Sequence, residues 1–212
     1  ESIARSGAMI IRLRISAVDE LAAIARQVHA ELVRGRENLR LVYQPAYDPL
    51  PRPPGQIALQ MDTVVDRGGL TEDEICQGFL TRLQQLRSEE INRGVTTIGP
   101  HRDELRFLAN ALDLGDFGSR GQVRTALLAL KLAEVEWLKV KTGQWPVLLL
   151  DEVLAELDPL RRADLLLYLK KVEQSLITTT DIHLFDAAFV SHTDLWQVKE
   201  GAIQVLQKGE GL

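Results

Sequence analysis

Cysteine is almost missing from this 212-residue chain, with Cys76 standing alone. One thiol cannot close an internal disulfide, and it excludes a zinc site built from several cysteines. The default setting is reducing, so a cytoplasmic protein is expected. Long apolar runs are missing too. Val147-Leu148-Leu149-Leu150 is far short of the ~20 residues that a membrane-spanning helix needs. The opening Glu1-Ser2-Ile3-Ala4-Arg5 lacks the basic start and apolar stretch of a secretory signal. There is no basic surplus: 25 Lys and Arg face 30 Asp and Glu, for a net charge of −5. Residues 1–93 carry 12 basic and 13 acidic side chains, so neither half hides a strong basic block. That balance argues against a free-standing nucleic-acid-binding module, which is usually basic, but not against one contributor to a composite surface. No His-x-x-x-His spacing occurs, so protein-bound zinc is not expected. Finally, no Gly-x-x-x-x-Gly-Lys-[Ser/Thr] loop is present, nor any Gly-Lys pair. Such a loop cradles nucleotide phosphates with its backbone and its lysine.

What is there divides near Gly94. Residues 1 to about 37 read as a long helix, with Ile10, Ala17, Leu21, Ile24, Val28 and Leu32 on one stripe and Gly35 as its stop. Leu39 to Tyr43 alternates like a short strand. Pro45, Pro49, Pro51, Pro53 and Pro54 then make an extended surface loop, and Ile57 to Val65 reads as a further strand. Thr71-Glu72-Asp73-Glu74 is a capping box for a helix to about Asn92 with Ile75, Phe79, Leu83 and Leu86 inward. The second half is richer in strands. Val95–Ile98 and Leu105–Leu112 are expected as strands around Gly99-Pro100. Ser119 to about Lys141 is a helix with Val123, Ala126, Leu127, Leu130, Ala133, Trp137 and Leu138 on one face. Val147–Leu150 reads as a fully buried strand, followed by a helix over about Pro159–Val172. Ser175–Thr179, Leu195–Val198 and Ile203–Leu206 are short strands, and the order suggests parallel α/β layering.

Two segments carry chemistry. A buried strand that runs into Asp151-Glu152 ends rigidly in two carboxylates. The first can hold Mg²⁺, usually through water, and the second can orient or deprotonate a water attacking a γ-phosphate. The plain alternative is a solvated acidic turn. Phe117-Gly118-Ser119-Arg120-Gly121-Gln122 lies directly at the start of the strongest helix in the chain. Small residues there leave backbone N–H groups open to an anion, favoured by the helix dipole. The plain alternative is an ordinary N-cap. Gly99-Pro100-His101-Arg102-Asp103 is, by itself, a tight turn with a cation beside an acid, whose ion pair alone is worth little.

Taken in order, Ser-x-Gly-Gln at a helix start, Asp-Glu at a strand end about thirty residues later, and Ala155-Glu156-Leu157-Asp158 resemble the ATP-binding-cassette ATPases. Their signature motif, Walker B strand and D-loop follow in that register. Thr96 to Phe107, Gly118 to Thr125, Ala129 to Glu134 and Gly7-Ala8-Met9-Ile10-Ile11 resemble the RecF family of bacterial recombinational repair ATPases. Glu104 stands where a second Asp is usual, and Arg120 where Gln or Gly is frequent.

That resemblance implies an α/β fold: the C-terminal part of a cassette-type ATPase head over 94–212, with a helical arm, short strand pair and proline-rich loop over 1–93. It implies that Ser119, Gly121 and Gln122 reach the γ-phosphate of ATP held by a partner subunit. Asp151 serves Mg²⁺, Glu152 the attacking water, and Asp158 the subunit junction. His101 and Arg102 lie near the nucleotide or the dimer seam, and Thr180 takes the place of a histidine frequent after the next strand. It further implies ATP-driven homodimerisation, DNA at a duplex/single-strand gap junction as ligand, RecR and RecO as partners, and roles in DNA repair, recombination, replication and the SOS response. The phosphate-binding loop of such proteins lies ahead of every motif seen here, so this chain alone is expected to be inactive as an ATPase. Two rival readings are a Rad50-like or chromosome-condensing head, which needs a longer coiled arm, and a non-catalytic docking module that keeps the fold.

Overall fold

The computed structural model describes residues 1–50 and 66–209. The expected strand at Ile57–Val65 and Pro51, Pro53 and Pro54 lie outside the described residues. The chain forms two compact units, Glu1–Lys141 and Thr142–Leu212.

The first unit is built on α1 (Ser2–Leu32) and α2 (Glu72–Arg93), which pack together. α2 begins at the expected capping box: the Glu74 N–H donates to Thr71 Oγ1 at 3.3 Å and the Thr71 N–H donates to Glu74 Oε2 at 2.9 Å. Gly94, in the left-handed conformation, closes it. Ile75 and Phe79 are buried, with Leu83 and Leu86 packed against that cluster's edge. The buried stripe of α1 differs from the expected one. Ala4, Gly7, Ala8, Ile11, Ile15, Ala25, Val28 and Leu32 face inward, while Ile10 is 42% exposed. Size decides this. A Cβ on Gly7 would stand 2.5 Å from Phe79 Cε1, so the aromatic ring needs the small face of the helix.

Beside the helices lies an antiparallel sheet of β1 (Leu39–Gln44), β2 (Glu104–Ala109) and β3 (Leu112–Asp113), in that order. β1 and β2 pair along their whole length, from Leu39 with Ala109 to Gln44 with Glu104. The expected strand at Leu105–Leu112 is broken by Asn110 and Ala111, both at positive φ, which turn β2 into β3. The expected strand at Val95–Ile98 is absent: the Thr97 N–H donates to the Glu90 carboxylate instead of to a neighbouring strand. A four-residue helix α3 (Leu114–Phe117) leads to α4 (Arg120–Thr142). Its buried face runs through Thr125, Ala126, Leu128, Ala129, Leu132, Ala133 and Val135, and Leu127 is 48% exposed. Thr125 is tolerated inside because its hydroxyl donates to the Gly121 carbonyl at 2.7 Å. Trp137 Nε1 and Lys141 Nζ both donate to Glu20 of α1. This contact and the β1–β2 ladder carry the first unit past the expected division at residue 93 to Lys141.

The second unit pairs β4 (Leu148–Asp151) in parallel with β5 (Ser175–Thr178), connected through α5 (Pro159–Leu169). β4 is not fully buried, contrary to expectation. Leu148 and Leu150 are inside, but Leu149 is 68% exposed, together with its neighbour Leu176 on β5. Among the described residues this sheet has only two strands, so one face stays open. A short helix α6 (Ala187–Ser191) precedes a hairpin of β6 (Leu195–Lys199) and β7 (Ala202–Gln207), which is antiparallel. Trp196 pairs with Val205 and Val198 with Ile203, and all four are exposed. No helix among the described residues is long and apolar enough to cross a membrane.

Candidate functional site

Asp151 ends β4, and Glu152 follows in the left-handed region at φ 53. A non-glycine residue there is held against an intrinsic cost of about 1–2 kcal/mol. The turn that follows, a 3₁₀ segment at Val153–Glu156, seats the buried Leu154 and Leu157. Holding the two acids is β5. The register puts Thr178 beside Asp151, and its hydroxyl donates to Asp151 Oδ1 at 2.5 Å. The Thr178 hydroxyl oxygen in turn accepts the Glu152 N–H at 3.2 Å. Thr180 Oγ1 lies at 3.5 Å from Glu152 Oε2, a long hydrogen bond. The structure thus brings together Asp151, Glu152 and Thr180, and adds Thr178. Asp151 is exposed on the open face of the sheet.

Asp158 is the N-cap of α5. Its Oδ1 accepts the N–H groups of Leu160 and Arg161, both at 3.1 Å, and Arg161 pairs with Oδ2 at 3.2 Å. The Arg161 N–H, and then the Arg161 charge, hold its carboxyl below the ordinary carboxylate value.

In the first unit, Ser119 and Gln122 form a second capping box. The Gln122 N–H donates to Ser119 Oγ at 3.2 Å, and the Ser119 N–H donates to Gln122 Oε1 at 3.0 Å. Oγ acts there as an acceptor, so the hydroxyl hydrogen can still be given to an anion. Gln122 Nε2 donates to Glu37 Oε1 at 3.1 Å, which fixes the amide orientation. Glu37 Oε2 lies 3.9 Å from Nε2 of the buried His29 near the end of α1. Gly118 is needed just before this cap because a Cβ would stand 2.5 Å from the Leu114 carbonyl oxygen.

The Gly99–Asp103 segment forms a 3₁₀ turn over Pro100–Arg102. Its Asp103 is buried and structural. Oδ2 accepts Arg14 Nη1 at 2.7 Å and the Tyr43 hydroxyl at 2.6 Å, while Oδ1 accepts the Ala46 N–H at 3.0 Å. Burial, and then Asp103, push the Tyr43 hydroxyl far above its ordinary pKa. His101 and Arg102 stand exposed on the outside of this staple, with Arg102 Nε donating to the Thr96 carbonyl at 3.3 Å.

Sequence reasoning missed Thr178 and Glu37. Thr178 was within reach, because pairing the Leu148–Asp151 strand with Ser175–Thr178 places it opposite Asp151. Glu37 gives no such signal, since it meets Gln122 across 85 positions of chain. Among the described residues no group of three or more His, Cys, Asp or Glu could hold a metal ion by itself. Mg²⁺ at nucleotide sites needs less: one or two carboxylates, with water and phosphate oxygens completing its shell. The exposed Asp151 carboxylate fits that donor set.

No family model matches the chain. It is 36% identical over 200 residues to the DNA replication and repair protein RecF of Roseiflexus castenholzii, covering 94% of this chain and 47% of that protein. It is 39% identical over 204 residues to RecF of Herpetosiphon aurantiacus, covering 96% and 47%. Two solved structures of the recombination mediator protein RecF in the RecFOR pathway superpose on it. One, RecF-ATP, gives a TM-score of 0.72 at 28% identity over 97% of this chain and 48% of that one. The other, RecF-ATPrS, gives 0.71 at 27% identity over 96% and 48%. The chain spans about half the length of the curated relatives it matches.

Proposed function

The chain belongs to the RecF family, whose C-terminal part it matches, and from that premise we propose that it is the trans-acting half of an ATP-dependent DNA-repair ATPase. ATP joins two heads, and Ser119, Gly121 and Gln122 of each contact the γ-phosphate of the nucleotide bound by the other. The capping box supports this: Ser119 keeps a hydroxyl hydrogen to donate at the positive end of α4. Asp151 would hold Mg²⁺, which when bound would supply positive charge to offset that of the phosphates. Glu152 orients the attacking water and takes its proton. Asp158, His101 and Arg102 lie at the junction of the heads, and Thr180 steadies Glu152. The dimer holds DNA at a duplex/single-strand gap junction and works with RecR and RecO in recombinational repair and replication restart, in the reducing cytoplasm. Residues 94–212 belong to the head and residues 1–93 to its arm.

The observation that carries the reading is the acid pair at the end of β4, with Glu152 turned out of the strand at φ 53. Glu152→Gln, in a complete protein with its phosphate-binding loop, tests it. The amide keeps the shape but is no base, so ATP binding and ATP-driven dimerisation persist while hydrolysis falls by at least ~10²-fold. Unchanged turnover would remove Glu152 from the chemistry.

A further inference from the structure

The acid pair is served by one side chain to which no motif assigns a role. We propose that Thr178 is a positioning residue for both carboxylates: its hydroxyl couples the Asp151 carboxylate to the Glu152 backbone. The inference rests on the ATPase reading above.

The geometry is that of a bridge. The Thr178 hydroxyl has one hydrogen to give and lone pairs to receive. The hydrogen goes to Asp151 Oδ1 at 2.5 Å, and a lone pair receives the Glu152 N–H at 3.2 Å. The first bond sets the rotation of the Asp151 carboxylate and directs its remaining lone pairs outward. The second anchors the amide of a residue in the left-handed region, which a non-glycine backbone adopts at a cost. A single oxygen therefore sets where the metal-facing acid points and where the water-facing acid begins. The parallel register supplies the bridge, since Asp151 and Thr178 are direct partners across β4 and β5. Valine has almost the same shape as threonine and suits a strand equally well, so the hydroxyl can be removed with little effect on the sheet. Groups that orient a metal-holding side chain typically change metal affinity or activity 10–100-fold when lost.

Thr178→Val and Thr178→Ser in the complete protein separate this role from a structural one. Three quantities are measured: the Mg²⁺ concentration for half-maximal ATP-driven dimerisation by sedimentation, kcat and KM for hydrolysis at saturating Mg²⁺, and the melting temperature without nucleotide. For Thr178→Val the half-saturating Mg²⁺ is expected to rise roughly 10–100-fold. Its kcat falls by a similar factor, its KM for ATP stays within about twofold, and its melting temperature is unchanged. Thr178→Ser keeps the hydroxyl and returns all three towards the parent values. A valine variant with the parent's Mg²⁺ dependence and kcat overturns the role. So does a serine variant as impaired as valine, or a loss confined to melting temperature. If the unaltered protein neither hydrolyses ATP nor dimerises with it, the ATPase reading itself fails and takes this role with it.

Discussion

Asp103 and Asp151 are the same side chain put to opposite uses in the two units. Asp103 has only 4% of its side chain exposed and receives Arg14, Tyr43 and the Ala46 N–H. Its oxygens are committed, so it ties α1, β1 and the Pro100–Arg102 turn together and has nothing left for a ligand. Asp151 is exposed, and the Thr178 hydroxyl orients it. Burial with saturated hydrogen bonds marks Asp103 as a staple, while exposure leaves Asp151 open to the role proposed for it. Removing each side chain breaks the comparison most sharply. Asp103→Ala strands the buried Tyr43 hydroxyl and the Ala46 N–H and removes the partner of the half-exposed Arg14, and is expected to cost about 3 kcal/mol in urea unfolding. Asp151→Ala is expected to stay within about 0.5 kcal/mol, as surface changes do, while destroying any Mg²⁺-dependent activity. Equal losses of stability would show that exposure does not separate the two roles.

Packing sharpens the contrast next. Gly7→Val would push a side chain into the ring of Phe79, where even a Cβ stands at 2.5 Å. Overfilling a tight contact costs about 1–3 kcal/mol, and the loss should appear in the thermal unfolding of the first unit. A neutral result would mean that α1 and α2 can separate slightly without penalty.

The helices were legible because capping chemistry is local: Thr71 with Glu74 fixes the start of α2 and Gly94 its end, within a few residues of chain. Burial was less legible. Hydropathy favours Ile10 over Gly7, but contact with Phe79 selects the smaller residue. Strands failed where a partner was decisive: Val95–Ile98 has the composition of a strand, yet Thr97 spends its N–H on Glu90. The acid pair and the Ser-x-Gly-Gln turn stood out as linear patterns. Thr178 and Glu37 did not, because their importance comes from pairing across β4–β5 and across the fold.

Ser119 gives a smaller change in stability with a large change in association. Ser119→Arg loses the Oγ that receives the Gln122 N–H, and losing such a cap costs about 1 kcal/mol. The fold and nucleotide binding by one subunit should survive. ATP-driven dimerisation should not, since a long side chain would fill the proposed phosphate seat. Sedimentation with ATP decides the matter: a dimer as tight as the parent's reduces Ser119 to a helix cap.

The smallest effect concerns Glu90, which sets the turn carrying His101. Its Oε1 accepts both the N–H of Thr97, at 2.5 Å, and the Thr97 hydroxyl, at 2.9 Å. The carboxyl is held below its ordinary value of 4.5, chiefly by the Thr97 N–H, with smaller help from the Thr97 hydroxyl, the Ile98 N–H and the charge of His101. A depressed carboxyl stabilises the fold fully above its unfolded pKa, and the contribution is lost as pH falls through the lower folded value. Glu90→Gln can still accept a hydrogen bond from Thr97 but carries no charge. The variant should therefore be slightly less stable than the parent near pH 7, and the two should converge as pH falls below 4.5 through the lower folded value. Urea midpoints across that range test the sign. Curves that stay parallel as pH falls well below 4.5 would mean that Glu90 is no better bound as a carboxylate in the folded chain than in the unfolded one.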